Sequence, residues 1–404
     1  MKILVVPMEL PLPADSGGRI DVWRRLRLLH DDGHELALLS WHNLARDGAV
    51  APQALTELGT VCSTHHLSWI RRSPGESLRR IAHLARLPSH AAVRWATLDR
   101  PAALAWARAF APDVLLLDGL YGVAAVRWLA KALGVPWVYR AHNIEQVYMR
   151  QQQARAQGWR ARLGLAANLV GLRRVEEATV RDAAAVFDIS PADAAHWRAR
   201  GHANVHWLPT VVDVGFERAM AAASALPPAW DVAYFGNLHT PNNVEAVAWL
   251  VTKVLPQWRA PGLRVALAGS RPSEAVRRLA AADARITLLA DPPSMPAVAG
   301  AARVLVNPVQ AGSGVNLKSV EMLFSNAALV STPAGVQGLP AEAAACFAVH
   351  ADAVGFAQAI AQALQAAPAP AGPQRVAARA PYAPAAAARL LRDRLQPLLA
   401  GGVR

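Results

Sequence analysis

The sequence predicts an α/β protein made of two doubly wound domains facing a cleft, and three observations predict it. Short apolar runs of strand length alternate with amphipathic stretches of helix length along the chain. The alternation restarts after Pro209-Thr210-Val211-Val212-Asp213. The chain, 404 residues long, 53% hydrophobic and 18% charged, exceeds what one core usually holds and is rich enough in apolar residues to build two.

Residues 2–6, 35–40, 114–118, 137–140 and 185–189 read as the strands of the first half, with amphipathic helices such as 20–31 and 123–133 between them. That order gives a parallel sheet with crossover helices. Residues 225–228 read as a linker. The second sheet is expected at 231–235, 264–268, 286–288, 303–306 and 328–331, again with helices between. Residues 366–373 are rich in Ala and Pro and read as a loose connection. The closing helix, 384–399, carries Leu390, Leu391, Leu395 and Leu398 at helical spacing and needs a surface to dock on.

Cys62 and Cys346 are the two cysteines, which excludes a disulfide framework and a cysteine-rich metal site and fits a reducing compartment, with the cytoplasm as the expected location. The amino-terminal apolar run, residues 1–7, is too short for a signal peptide. The apolar stretch 114–126 is broken by Asp118 and by glycines, short of the roughly 20 residues a membrane span needs.

The net charge of +13 is unevenly spread. Arg71, Arg72, Arg79, Arg80, Arg86, Arg94, Arg100 and Arg108 crowd a stretch in which Trp69, Ile70, Leu78, Ile81, Leu84, Leu87, Trp95 and Trp106 are interleaved. Residues 69–108 suit peripheral contact with an anionic membrane at the inner face of the plasma membrane. Nucleic acid is the competing, disfavoured partner, and a merely solvated basic face is the third reading.

In open parallel sheets ligands bind beyond the carboxyl ends of the strands, so the loops there carry the candidate chemistry. The most telling runs from Asn307 to Gly338. Gly312 and Gly314 let backbone approach an anion, and the N–H groups of the helix that follows point at it. Lys318 adds a cation one turn in, and Glu321 lies on the same face. Val315, Leu317, Val320, Met322, Leu323 and Phe324 surround that carboxylate, so it is expected to be buried and partnered, by a sugar hydroxyl pair or by an ion-pair residue. Gly236-Asn237-Leu238-His239 follows a strand, with Gly236 placed for close approach to phosphate and Asn242-Asn243 placed to cap the next helix. In the first half, Gly17-Gly18-Arg19 opens a helix, as a tight turn or as a ligand loop, and Arg140-Ala141-His142-Asn143-Ile144-Glu145 ends a strand, with His142 able to titrate near neutral pH.

Taken in order, Asp-Ser-Gly-Gly-Arg, Arg-Ala-His-Asn-Ile-Glu, Phe-Gly-Asn-Leu…Pro-Asn-Asn and Gly-Ser-Gly-Val-Asn-Leu-Lys-Ser-Val-Glu resemble the motifs of family 4 retaining glycosyltransferases of the GT-B fold, over nearly the whole chain. The resemblance implies two Rossmann-like domains: 1–209 for the acceptor, rejoined by a closing helix within 384–404, and 210–383 for a nucleotide-sugar donor. It implies His142, Lys318 and Glu321 as the catalytic set, with Glu321 on the ribose hydroxyls. Gly236, Asn237, Gly312, Ser313, Gly314, Val315, Asn316 and Leu317 would bind the donor; Gly17, Gly18, Arg19, Asn143 and Glu145 would line the acceptor side. The implied activity is hexosyltransferase-like, moving sugar from a UDP-, GDP- or dTDP-sugar to a glycan or lipid-linked acceptor in polysaccharide or glycolipid assembly, with retention.

Two departures stand out. Family members carry a pair of glutamates, and Ser313 falls where the first belongs. Many also carry Arg or Lys after the glycine matching Gly236, where this chain has Asn237 and His239; Lys318, with Arg271 second, is the expected replacement charge. No acidic cluster of metal spacing accompanies the diphosphate site, so neither a divalent cation nor another cofactor is expected to be required. The competing readings are a nucleotide-sugar epimerase of the same architecture and a non-catalytic arginine-rich anion-binding protein. An inverting enzyme would need a base, for which Asp15, Asp118 and Glu145 are the candidates.

Overall fold

The computed structural model describes residues 1–400 except 72, 157, 259–261, 312–313 and 368, with the backbone alone at 155 and 400. The chain divides into two compact units. The first comprises Met1–Ala14, Gly18–Pro209 and Ala387–Arg404; the second comprises Asp15–Gly17 and Thr210–Ala386.

The first unit is built on β1 (Lys2–Pro7), β2 (Glu35–Asn43), β3 (Thr64–Ile70), β4 (Val114–Asp118), β5 (Trp137–Ala141), β6 (Val186–Asp188) and β7 (Val205–Trp207). They form a parallel sheet in the order β3-β2-β1-β4-β5-β6-β7. The central strands read as near-continuous apolar runs because helices cover both faces. Ile3, Leu4, Val5 and Val6 are at most 1% exposed. Leu4, Val6, Leu39, Trp41, Leu115 and Leu117 belong to one core cluster with Val126 and Leu129 of the Val123–Leu133 helix. Strand order reverses direction at β1 and β4, the place where an open parallel sheet offers a ligand crevice.

The second unit repeats the plan with β8 (Trp230–Asn237), β9 (Val265–Ser270), β10 (Ile286–Ala290), β11 (Ala302–Asn307), β12 (Ala328–Ser331) and β13 (Ala348–Val349), in the order β10-β9-β8-β11-β12-β13, all parallel. Its switch point lies between β8 and β11. Two core clusters lie on its two faces, one around Tyr234, Leu267, Val306 and Phe356, the other around Phe235, Leu305, Met322 and Phe324.

The ten strands expected from the sequence all occur, most of them one to three residues longer. Three others escaped the reading. β3, Thr-His-His-Leu-Ser-Trp-Ile, is an edge strand whose histidines break the apolar run. β7 and β13 are only three and two residues long and also lie at sheet edges. The stretch 225–228 is a turn inside the second unit and not a linker between units, because the helix before it, Val214–Ser224, packs against the Met295–Gly300 helix. A Cβ at Gly300 would stand 2.5 Å from the Met220 carbonyl.

Candidate functional site

In the second unit the site is assembled at the carboxyl ends of β8, β9, β11 and β12. Gly236 and Gly269 face each other as partners in the β8–β9 ladder. A Cβ at Gly269 would fall 1.8 Å from the Gly236 carbonyl, so only glycine lets the two strand ends close together. Gly236 itself has φ +152°, a conformation that side-chain-bearing residues avoid.

Above Gly236 lies the side chain of Lys318, from the Leu317–Met322 helix. Its Nζ is 3.8 Å from the centroid of the Tyr234 ring and 3.5 Å from Asn243 Oδ1. Burial pushes its ammonium down to about 7, and the nearby Glu321 carboxylate only partly offsets that. Lys318 and Glu321 are each 8% exposed. The expected burial of this carboxylate among apolar residues is what the helix gives.

That helix is only six residues long, so its dipole is weaker than the sequence reading supposed. What holds it is a buried polar network that the sequence did not announce. Asn307 at the end of β11 donates to Ser319 Oγ (2.8 Å), and Ser319 Oγ donates to the Gly335 carbonyl (2.7 Å). Gly335 has to be glycine, since a Cβ there would meet Ser331 Oγ at 2.2 Å. Gly314 (φ +66°) and Gly338 (φ +79°) form touching turns, the Gly314 carbonyl lying 2.6 Å from where a Gly338 Cβ would be. Gly312 and Ser313, both expected at the donor, lie outside the described residues. Val315 packs against the second unit's core, while Asn316 and Leu317 are half-buried at the helix start.

Asn237 acts on the loop. Its Oδ1 accepts from the N–H groups of His239 (2.9 Å) and Thr240 (3.2 Å). Asn242 and Asn243 do not cap the next helix: Pro241–Trp249 begins before them, with Thr240 as the preceding residue. Asn243 instead donates to the Asn237 carbonyl (2.7 Å) and turns its oxygen to Lys318.

In the first unit His142 follows β5. Its Nε2 is 2.6 Å from Asp118 Oδ1, at the end of β4. Asp118 also receives Arg25, through Nε (2.9 Å) and Nη2 (2.7 Å to Oδ2), and Arg25 reaches Asp21 at 2.9 Å. Burial alone would raise the Asp118 carboxyl; the Arg25 charge and the His142 hydrogen bond together hold it below its ordinary value. An ionised Asp118 accepts the Nε2 proton, leaving the lone pair of His142 on Nδ1. Arg25, buried in the Gly17–Asp31 helix, is built into this network.

His142, Asp118, Gly18 and Arg19 line a small pocket of about 40 Å³ together with Met8 and Glu9. Arg19 is held by Glu9 (3.2 Å) and Asp47 (3.5 Å). Gly17 and Gly18 open the Gly17–Asp31 helix with nothing within 4 Å of a Cβ built on either, so no tight turn demands them. Glu145 is misplaced as a pocket residue. It is 2% exposed, accepts from the Tyr121 hydroxyl at 2.8 Å, and is pushed up by burial. Asn143 hydrogen-bonds this Glu145 carboxylate, which lowers it in turn. Glu176, raised to about 8 by burial and by Glu145, accepts from the N–H groups of Glu145 and Gln146 at the start of the Glu145–Arg155 helix.

Within the basic stretch, Trp95 packs on Trp128 under Arg100, and Trp106 donates to Thr64 Oγ1; these tryptophans are structural. Leu78 (70% exposed) and Ile81 (61%) point outward, as does Trp69 to a lesser degree (37%). Among the described residues no helix is long and apolar enough to cross a membrane, and no three His, Cys, Asp or Glu side chains group as a metal site.

Solved structures share this architecture along the entire chain. The structure of Anabaena Alr3699/HepE in complex with UDP and glucose superposes with a TM-score of 0.64 at 14% identity, covering 98% of this chain and 99% of that one. Sucrose-phosphate synthase from Thermosynechococcus elongatus gives 0.65 at 18% identity, covering 99% and 100%. The fold is GT-B. Residues 229–366, which carry all of the GT-B chain's second-unit site, match the family model Glycosyl transferases group 1. A Klebsiella pneumoniae sequence described as an uncharacterized 44.6 kDa protein in cps region is 23% identical over 357 residues, 83% of this chain and 84% of that protein.

Proposed function

We propose that the protein is a glycosyltransferase that moves a hexose from a nucleotide-sugar donor to a glycan or lipid-linked acceptor in polysaccharide or glycolipid assembly. The observation that carries this reading is Lys318: a buried ammonium with no ion-paired carboxylate within salt-bridge distance among the described residues, poised over the backbone of Gly236 and one turn from buried Glu321. Leaving a cation buried without a counter-charge is costly, and a diphosphate supplies that charge. The match to Glycosyl transferases group 1 and the UDP and UDP-glucose complexes of Alr3699/HepE support a nucleotide-sugar donor. The cps-region relative supports capsule-type polysaccharide as the product.

In this mechanism the sugar–phosphate bond breaks with positive charge growing on the anomeric carbon and negative charge on the departing diphosphate. Lys318 and the backbone at Gly236 stabilise the departing charge, a preorganised electrostatic contribution of the kind whose loss costs roughly 10²–10³ in rate. Glu321 accepts hydrogen bonds from the ribose hydroxyls. His142, fixed by Asp118, orients the reacting hydroxyl through Nδ1. Retention follows the family resemblance. Inversion is the second reading, favoured by the 2.6 Å Asp118–His142 contact, which is the arrangement of an oriented general base; the anomer of the product separates the two. The acceptor is held by the first unit, and the outward Leu78 and Ile81 beside Arg79 support peripheral contact with an anionic inner membrane face.

A thermal-shift panel of UDP, GDP, dTDP and CMP with their sugars tests the donor class, because a ligand of the native state raises the melting temperature with its affinity and concentration. A specific shift for one nucleotide and its sugar is expected; none for any would overturn the reading. Conversion of a UDP-sugar without an acceptor would indicate an epimerase.

A further inference from the structure

A cavity of about 550 Å³ in the first unit has no part in the chemistry above. It opens beyond the carboxyl ends of β2 and β3, next to Glu9, and lies between the helices Pro74–His83, Ser89–Thr97 and Trp159–Leu169. Its volume is that of a small-ligand site, and its position is the ligand end of a parallel sheet. Trp41 and Ile70 give it apolar walls; Arg46, Arg80 and Arg94 give it charge.

The charges do not cancel. Arg46 is neutralised by Glu9 and Asp47, and Glu76 accepts from the Arg71 N–H at 2.9 Å. Arg94 spends its donors on carbonyls, Nε to Met8 at 2.7 Å and Nη1 to His90 at 2.9 Å, and forms no ion pair among the described residues. Arg80 also lacks an ion pair there, and its Nε is buried without a partner. His90 is held to Asn168 and kept neutral, first by burial and then by the charges of Arg94, Arg80 and Arg46. Guanidinium groups bind oxyanions through paired N–H donors. The cavity is continuous in lining with the His142 pocket, since Glu9 borders both and Met8, which borders the pocket, is tied to Arg94.

We propose that this cavity seats a saccharide of the acceptor that carries an oxyanion, a phosphate ester or a carboxylate, with the anion on Arg80 and Arg94. The proposal rests on the reading of the first unit as the acceptor side. It makes Arg80 and Arg94 specificity-determining residues: a neutral sugar would leave two half-buried guanidiniums without a counter-ion.

The test uses the full-length protein. UDP is titrated first, to report the donor site separately. Glucose 1-phosphate, glucuronate and methyl glucoside are then titrated in the presence of saturating UDP, and again with Lys318→Met, so that binding at the donor site does not contribute. At least one anionic sugar is expected to bind ten-fold or more tightly than the neutral glucoside. Preferential binding of glucose 1-phosphate identifies a phosphorylated acceptor; preferential binding of glucuronate identifies a uronate. Arg80→Gln, at the rim and outside the core, is expected to remove that preference while UDP affinity stays unchanged, and Arg94→Lys to weaken it. Equal binding of neutral and anionic sugars, or anion binding that survives Arg80→Gln, would overturn the proposal even with UDP binding intact. Failure of UDP to bind counts instead against the donor reading.

Discussion

The ammonium of Lys318 fills the space that a side chain at position 236 would take: a Cβ on Gly236 would stand 3.2 Å from Lys318 Nζ. The pairing explains why a strand end with glycine and a helix with a lysine, 82 positions apart in the numbering (318 − 236), make one site. Burial holds this ammonium at about 7, and a bound diphosphate favours its charged form. UDP binding at pH 8 is therefore expected to take up close to one proton. Calorimetric titration in buffers of different ionisation enthalpy measures this, and Lys318→Met should abolish it. Binding of UDP with no uptake would remove Lys318 from the anion site.

The same lysine sets a stability trend. Its pKa in the folded protein lies below the ordinary 10.5, so between about 7 and 10.5 the unfolded chain holds a proton that the folded one does not. Stability from this group rises with pH across that window, by up to about 1.4 kcal/mol per pH unit, and its penalty is complete below about 7. Lys318→Met should melt higher than the native protein at pH 7, with the gap closing by pH 10. A variant melting lower at both values would show that the Tyr234 contact outweighs desolvation.

His142→Ala is expected to lower kcat by about 10²-fold or more while leaving UDP affinity unchanged. Asp118→Asn should do the same through loss of the imidazole's orientation, with a lower melting temperature as well because Arg25 loses a buried partner. Near-native turnover with His142→Ala would confine the dyad to a structural role.

Glycine substitutions divide sharply. Gly269→Ala must displace the Gly236 backbone and is expected to cost about 1–3 kcal/mol or more, with weaker UDP binding. Gly17→Ala and Gly18→Ala meet open space and should leave the melting temperature nearly unchanged; turnover then reports whether that space belongs to substrate. A fall in melting temperature for Gly18→Ala as large as for Gly269→Ala would contradict the geometry.

The parallel-sheet plan could be read from the chain because strands buried on both faces are unbroken apolar runs, as at Ile3–Val6 and Leu115–Leu117. Edge strands such as β3 and β13 could not, since positions open to solvent on β3 admit His65 and His66. Lys318 and Glu321 were visible as polar residues inside an apolar helix. Asn307, Ser319 and Gly335 were not, because a buried polar network spanning two strand ends has no local spacing. Nor did Glu145 reveal that it turns into the Tyr121–Glu176 cluster; its flanking of His142 suggested a pocket that only the helix geometry could deny it.

Calorimetric titration of UDP into the native protein, Lys318→Met and Glu321→Gln tests the central claim most directly. Binding by the native protein that weakens at least ten-fold in each variant, with melting temperatures showing both folded, is the predicted result. Affinity unchanged in both variants would contradict it.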